Sequence, residues 1–267
     1  MSDAPSKSAS RSLIARILGD WLPPAITFVV VAVAWQLVAI NNPYVLPTLD
    51  AIGNSMANDP RMYWANMLVT SQEIAVGAGA GILVGFLLAV AMSELPIVEK
   101  AIMPMIVVIM VTPVVAIAPA LVVAFGFGML PKYIVTGLVV FFPMLVNSLA
   151  GLRDVDPKAL DVFKTLHASR WEIFRDLRLP SSMPFVFAGL RIAMPLAVVG
   201  AAVAEFVAAG QQAGLGSLVT ISAAQANLPV TWASIALLCL LGVVLVSLLA
   251  LLRKRVLWWS DGEVVGR

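Results

Sequence analysis

Apolar runs long enough to cross a lipid bilayer recur along this chain, and that recurrence leaves few folds open to it. A ~30 Å hydrocarbon core takes about 20 helical residues. Runs of that kind fall at about 22–40, 66–92, 100–126, 131–151, 184–208 and 231–252. Charged residues are 12% of the 267 and the mean hydropathy is +0.97, whereas soluble domains carry about 25% charged residues. The alternating ~10-residue segments of a membrane barrel are not visible. The expected class is an all-α polytopic membrane protein of about six transmembrane helices.

One polar island interrupts this pattern, RDVDPKALDVFKTLHASRWEIFRDLRLP at residues 153–180. It holds Arg153, Lys158, Lys164, Arg170, Arg175 and Arg178 together with five acidic residues. Such a segment must project into water, and its basic excess points to the cytoplasm under the positive-inside rule. With the N-terminus inside, 14 of the 17 Lys and Arg residues are cytoplasmic, including Arg253, Lys254 and Arg255 after the last run. Arg61 and Lys132 fall outside, and Arg191 falls within a span. The expectation is therefore N-in and C-in, with a cytoplasmic arm at 1–20, a membrane domain at 21–260 and a tail at 261–267. A cytoplasmic turn is expected at Ser93-Glu94-Leu95-Pro96, and outer segments at 41–65, Gly126-Phe127-Gly128 and 209–230.

Several residues single themselves out within the spans. Thr112-Pro113 and Ala118-Pro119 predict kinks in the third span, which either line a pathway or simply bend the helix. Gly77, Gly81 and Gly85 form a small-residue stripe suited to close helix packing. Ionisable residues are costly in hydrocarbon and are functional candidates by default; here they are Glu73, Arg191 and Glu205. Arg191 can snorkel to the cytoplasmic surface. If Glu73 and Glu205 both face a pathway, they disfavour a dianionic solute. The segment from Ala209 to Gly216 reads as a turn followed by a short helix at about 218–227, as vestibule or plain loop.

Catalytic material is scarce. Cys239 and His167 are the only residues of their kinds, so a CxxC site, a histidine metal centre or a catalytic dyad is not expected. No Gly-Lys-Ser or Gly-Lys-Thr occurs, so the phosphate-binding loop of an ATPase is missing. No cofactor and no nucleic-acid partner are expected. Two classes of polytopic protein can be weighed at this point. One is an ion-coupled secondary transporter, although inverted repeats and midplane relays are not seen. The other is an intramembrane enzyme, for which the residues offer little.

The island reads as two short helices around a bend. Asp156 caps the first and Pro157 takes its first position. His167-Ala168-Ser169 interrupts, and Ser169 with Glu172 three residues on has capping-box spacing. The second helix carries Trp171, Phe174 and Leu177 on one face and is expected to end before Leu179-Pro180. The result is an amphipathic knuckle, suited to the lipid interface or to a partner's groove.

The stretches ALDVFKTLHASRWEIF and LPSSMPFVFAGLRIA, with the chain from about 45 to 260, resemble the inner-membrane permeases of binding-protein-dependent ABC importers with the type I fold. The signature of that family is Glu-Ala-Ala, three residues, Gly, nine residues, Ile, one residue, Leu-Pro. Aligned on Leu179-Pro180, the triplet falls on Asp161-Val162-Phe163, the Gly on His167 and the Ile on Leu177. The chain departs from the pattern at Phe163 and His167, and Asp161 has one methylene less reach than Glu.

The resemblance implies that the knuckle is a coupling helix seated in a cytoplasmic ATPase dimer. Its contact residues are then Asp161, Thr165, Leu166, His167, Ala168, Ser169, Arg170 and Trp171. It further implies a second permease copy, an extracytoplasmic binding protein, ATP and Mg used by the ATPase alone, and residence in a bacterial inner membrane. Pathway candidates are Glu73, Thr112, Pro113, Arg191 and Glu205. Tyr44 to Thr48, Thr70 to Glu73, Ala118 to Leu121, Phe125 to Gly128, Phe141 to Pro143, Gly200 to Phe206 and Gly214 to Gly216 are most similar to the nitrate, sulfonate, taurine and bicarbonate group. Within it, the Glu73 and Glu205 contexts lean toward its thiamine-pyrimidine and riboflavin relatives.

Overall fold

Association between helices in hydrocarbon gains nothing from excluding water, so it relies on close packing, and small residues mark where backbones meet. The computed structural model describes residues 13–207 and 214–258. Among these residues it is helical throughout, with no strand. The expected arm and C-terminal tail lie largely or wholly outside the described residues. At the centre stands α7 (Met129–Arg153), with 56% of its most apolar window buried. Against it pack α4 (Gly79–Glu94) and α10 (Leu179–Val207).

The glycine stripe is the seam between α4 and α7. A Cβ on Gly81 would sit 2.2 Å from the Gly137 carbonyl oxygen, and one on Gly85 2.8 Å from that of Phe141. On the other side α10 presents Gly189, Ala193, Ala197, Gly200, Ala201 and Ala204, all buried. Ile74, Ala78, Val140, Ala197, Ala201 and Leu215 close into one core.

The second span is longer than its apolar run. It begins at Pro60, where Asp59 caps α3 (Pro60–Glu73) by accepting the Met62 N–H at 3.0 Å. It passes through a π turn at Ile74–Ala78 and continues as α4, giving one rod from Pro60 to Glu94. The expected outer segment at 41–65 contains a helix of its own, α2 (Leu49–Asn58). The first span, α1 (Leu13–Asn41), is held at its outer end. Trp35 meets Trp232 edge-on at 4.6 Å and donates to the Pro47 carbonyl at 3.0 Å.

The third span differs from expectation. It is not one kinked helix but two, α5 (Pro96–Val111) and α6 (Val114–Phe125), meeting at 97°. A residue before proline is pushed out of the helical region. Thr112 takes φ −75°, ψ 125°, and Pro113 follows at φ −61°, ψ 117°. Two extended residues in succession turn the axis, whereas Pro119 is absorbed within α6.

The knuckle consists of α8 (Pro157–Thr165) and α9 (Arg170–Ile173). Contrary to expectation the chain does not stop before Leu179-Pro180. A π turn at Phe174–Arg178 carries it into α10 as one helical rod from Arg170 to Val207. In that register the Leu179 N–H bonds the Phe174 carbonyl five residues back. The proline, which has no N–H, is thereby accommodated at the register change. The short outer helix is α11 (Leu215–Ala224), and α12 (Leu228–Val256) runs back to the cytoplasmic side with mean hydropathy 3.1, burying few of its residues, among them Leu238 and Leu249.

The seam carries a direct prediction. Gly81→Ala should lower stability by about 1–3 kcal/mol, the usual range for overpacking. Gly79→Ala, where nothing lies within 4 Å of the added Cβ, should not. Thermal unfolding of the two purified variants in one detergent compares them directly; equal midpoints would remove the seam from the account.

Candidate functional site

Two polar constellations interrupt the apolar structure, one at each side of the membrane. The first is the knuckle. Asp156 accepts the Lys158 N–H at 2.8 Å and opens α8. Its C-terminus closes with two bonds, Ala168 N–H to Phe163 O and His167 N–H to Lys164 O, both 3.0 Å. This is the Schellman pairing, which needs a left-handed residue at its turn. His167 supplies it with φ 56°. The bend therefore has the backbone that glycine ordinarily provides, and the histidine departure leaves its shape intact. Ser169 and Glu172 then cap each other across a reciprocal box, with Ser169 N–H to Glu172 Oε2 at 2.6 Å and Glu172 N–H to Ser169 Oγ at 3.3 Å.

Rigid caps hold an exposed apolar crest. Leu166 is 73% exposed, Trp171 65% and Val162 57%. Trp171 stacks on Phe174 at 5.7 Å, which fixes its plane. Around the crest lie Asp161, Thr165, His167, Ser169 and Arg170, all exposed, with Ala168 half-buried between them. Asp161 is engaged within α8, accepting from Lys164 Nζ at 3.1 Å. Apolar residues exposed in this way mark a contact with another protein or with the membrane surface.

Both roots of the knuckle are clamped to the turn between α4 and α5. Arg153, leaving α7, forms a two-pronged pair with Glu99, one prong Nη1 to Oε1 at 2.8 Å and the other Nη2 to Oε2. Arg178, entering α10, donates to Glu94 at 2.6 Å. These partners sit 54 and 84 residues away and were not anticipated, although Glu94 and Glu99 flank the expected turn.

The second constellation is buried at the outer end of the bundle. Glu205, at 0% exposure, caps α11. Its Oε2 accepts the Gly216 N–H and, at 3.2 Å, the Ser217 N–H. Its Oε1 accepts the Thr70 hydroxyl at 2.6 Å, and Thr70 Oγ1 in turn accepts the Leu215 N–H at 2.9 Å. A carboxylate aimed at a helix N-terminus satisfies donors the helix leaves free and complements its dipole. Room for it depends on Gly214, where a Cβ would fall 1.9 Å from Glu205 Oε1.

Glu73 lies in the same pocket, also fully buried, and pairs with Lys132 at 2.9 Å. Lys132, expected to fall on the outer side, stands in the first turn of α7 and is buried there, at 2% exposure. Its position in the first turn of α7, opposite an intramembrane glutamate, was the signal to pair them.

The pathway candidates thus separate. Glu73 and Glu205 are brought together but reach no surface. Thr112 and Pro113 form the break between α5 and α6. Arg191 stands apart, in a crevice between α10 and α12.

The family described as binding-protein-dependent transport system inner membrane component matches residues 81–258. The formylaminopyrimidine transport permease of Halalkalibacterium halodurans is 33% identical over 245 residues, 91% of this chain and 97% of that protein. The riboflavin transport system permease of Chloroflexus aurantiacus is 32% identical over 162 residues, 61% of this chain and 60% of that protein. The taurine transport system permease of Escherichia coli is 28% identical over 201 residues, covering 75% and 72%.

Each constellation generates a test. Lys132→Ala leaves the Glu73 carboxylate buried without its cation, a change that costs about 3–5 kcal/mol. The variant should lose most of its folded yield, and Glu73→Gln in the same chain should restore part of it. Absence of any rescue by the second substitution would show that the pair is not the cause. His167→Gly should stabilise the protein by about 1 kcal/mol, the cost of a left-handed side-chain residue, whereas a β-branched His167→Val should destabilise it in the same melting assay.

Proposed function

The chain belongs to the family of binding-protein-dependent transport system inner membrane components, and we propose that its knuckle is the seat through which a separate ATPase drives it. It is a permease subunit of an ABC importer, a multi-pass protein of the bacterial inner membrane. It works with an ATPase and a substrate-binding protein supplied by other chains. The observation that carries the coupling role is the exposed crest of Val162, Leu166 and Trp171 on a doubly capped, clamped bend.

The mechanism follows from how the knuckle is tied down. Two copies of the permease stand on two ATPase subunits, each crest seated in an ATPase cleft. ATP draws the clefts together and the crests move with them. Because α9 runs without a break into α10, the displacement reaches the fifth span directly. Because Arg153 and Arg178 hold Glu99 and Glu94, it also reaches the foot of α5 below the broken span. The break at Thr112-Pro113 lets α5 and α6 move as separate levers, so the pathway opens outward; hydrolysis returns it inward. ATP and Mg belong to the ATPase, and no bond of the solute is made or broken.

The solute is proposed to be a small heteroaromatic cofactor precursor of the formylaminopyrimidine class. Near full-length similarity to a permease named for that solute supports this reading. The broken span adds a physical argument, since residues 101–131 carry no charge with which to hold an anion. The alternative, a sulfonate, taurine or nitrate type of anion, rests on the lower-identity relatives. Glu73 and Glu205 are internal, so they do not stand at a pathway mouth to repel anions.

Transporter assembled from the permease, its ATPase and its binding protein tests both levels. Asp161→Lys or Ala168→Trp should uncouple ATP hydrolysis from uptake while leaving membrane insertion intact. Survival of transport in both variants would remove the knuckle from the mechanism. Proteoliposomes should accumulate a radiolabelled aminopyrimidine in preference to taurine or nitrate; the opposite order would select the anion reading.

A further inference from the structure

We propose that the crevice between α10 and α12 is a binding site for an anionic phospholipid of the cytoplasmic leaflet. At its cytoplasmic end Pro184, Phe185, Ala188 and Arg191 of α10 face Val246 and Arg253 of α12 around a cavity of about 520 Å³. From Val246 it continues outward as a second cavity of about 630 Å³ between Val199, Ala202 and Val203 of α10 and Cys239, Gly242 and Val243 of α12. Among the residues lining both, Arg191 and Arg253 are the only charged side chains.

The two guanidinium groups fit a phosphodiester. Neither has an ion-pair or side-chain hydrogen-bond partner among the described residues. Arg191 enters the crevice about two turns deeper than Arg253. A helical side chain leans toward its own N-terminus, which for α10 is the cytoplasmic end, so Arg191 reaches back toward the headgroup level. A basic pocket between helices at that level is suited to an anionic headgroup. Beyond it, Arg191 to Val203 is twelve residues, about 18 Å of helix. That matches one leaflet of a ~30 Å core and is lined by apolar side chains for an acyl tail.

A second permease copy fits the crevice less well. It would have to meet two unpaired cations with carboxylates, and four of those on its described spans are already engaged. Glu73 pairs with Lys132, Glu205 caps α11, Glu94 pairs with Arg178 and Glu99 with Arg153. α12 buries Leu238 and Leu249 against the bundle but leaves Val243, Leu248, Leu251 and Leu252 exposed in the protomer, so the crevice opens outward along that face.

The test uses the full-length permease assembled with its ATPase in bilayers of equal phosphatidylglycerol and phosphatidylcholine, released in mild detergent for native mass spectrometry. Phosphatidylglycerol should be retained over phosphatidylcholine on the order of tenfold, and Arg191→Gln with Arg253→Gln should abolish the preference, since each basic residue near the surface adds to anionic-lipid attraction. Arg253→Gln alone should reduce it, which keeps the test open if the double variant folds poorly. Equal retention of the two lipids by the wild type would overturn the proposal, as would displacement of the lipid by inorganic phosphate. Cys239, the only cysteine, lies in the crevice. A Cys239–Cys239 crosslink on mild oxidation in bilayers would instead assign the groove to a second copy.

Discussion

The approach of α4 and α10 onto α7 at backbone distance is the contact on which the other features depend. Lipid tails are as apolar as leucine, so burying a leucine between helices gains little, and stability comes from dispersion and fit. Gly81 against Gly137 on one side, and the Gly-Ala face of α10 on the other, allow that fit. A core joined this closely has little slack, and close-packed interiors transmit displacement rather than absorb it. Motion therefore has to enter and leave through elements built to move.

Those elements lie at the cytoplasmic end. The knuckle is stiff within itself, closed by a Schellman turn and a capping box, and joined without interruption to α10. Its roots are fastened to the α4–α5 turn by two ion pairs that are partly exposed. Exposed pairs contribute little to stability, so their value is positional: they make one body of the knuckle, the foot of α5 and the fifth span. Within the third span the helix is interrupted at Thr112-Pro113, where two extended residues separate α5 from α6. A rigid handle ending at a hinge is the arrangement a driven gate requires.

Local chemistry was legible in the sequence wherever one short stretch decided it. Asp156-Pro157 and Ser169 with Glu172 named their own caps, and the glycine stripe named its seam. What escaped was decided by register or by distant partners. Pro180 reads as a stop only if hydrogen bonds stay in α register, and the π turn shifts them. Pro113 and Pro119 look alike on paper, but only the first follows a residue that goes extended. Lys132 reads as an outer charge until α7 sets it opposite Glu73. The helix at Leu49–Asn58 was hidden in a segment judged by its lack of apolar length.

The buried outer cluster changes how selectivity has to be understood. Glu205 and Thr70 hold the start of α11 against α3 and α10, and Glu73 with Lys132 fills the remaining space beside them. Glu205 is taken up by backbone and hydroxyl donors and Glu73 Oε1 by Lys132, while Glu73 Oε2 is buried without a hydrogen-bond partner among the described residues; neither carboxylate reaches the surface, and both shape the outer end of the bundle. The stretch at 101–131, which contains the α5–α6 break, likewise carries no charge, and offers a solute only shape and polarity. Such surfaces discriminate weakly between molecules of similar size, because one methylene in an apolar pocket is worth only about 1–3 kcal/mol. A permease built this way leaves the choice of cargo largely to the binding protein that delivers it, and keeps its own ionic interactions for structure and for coupling.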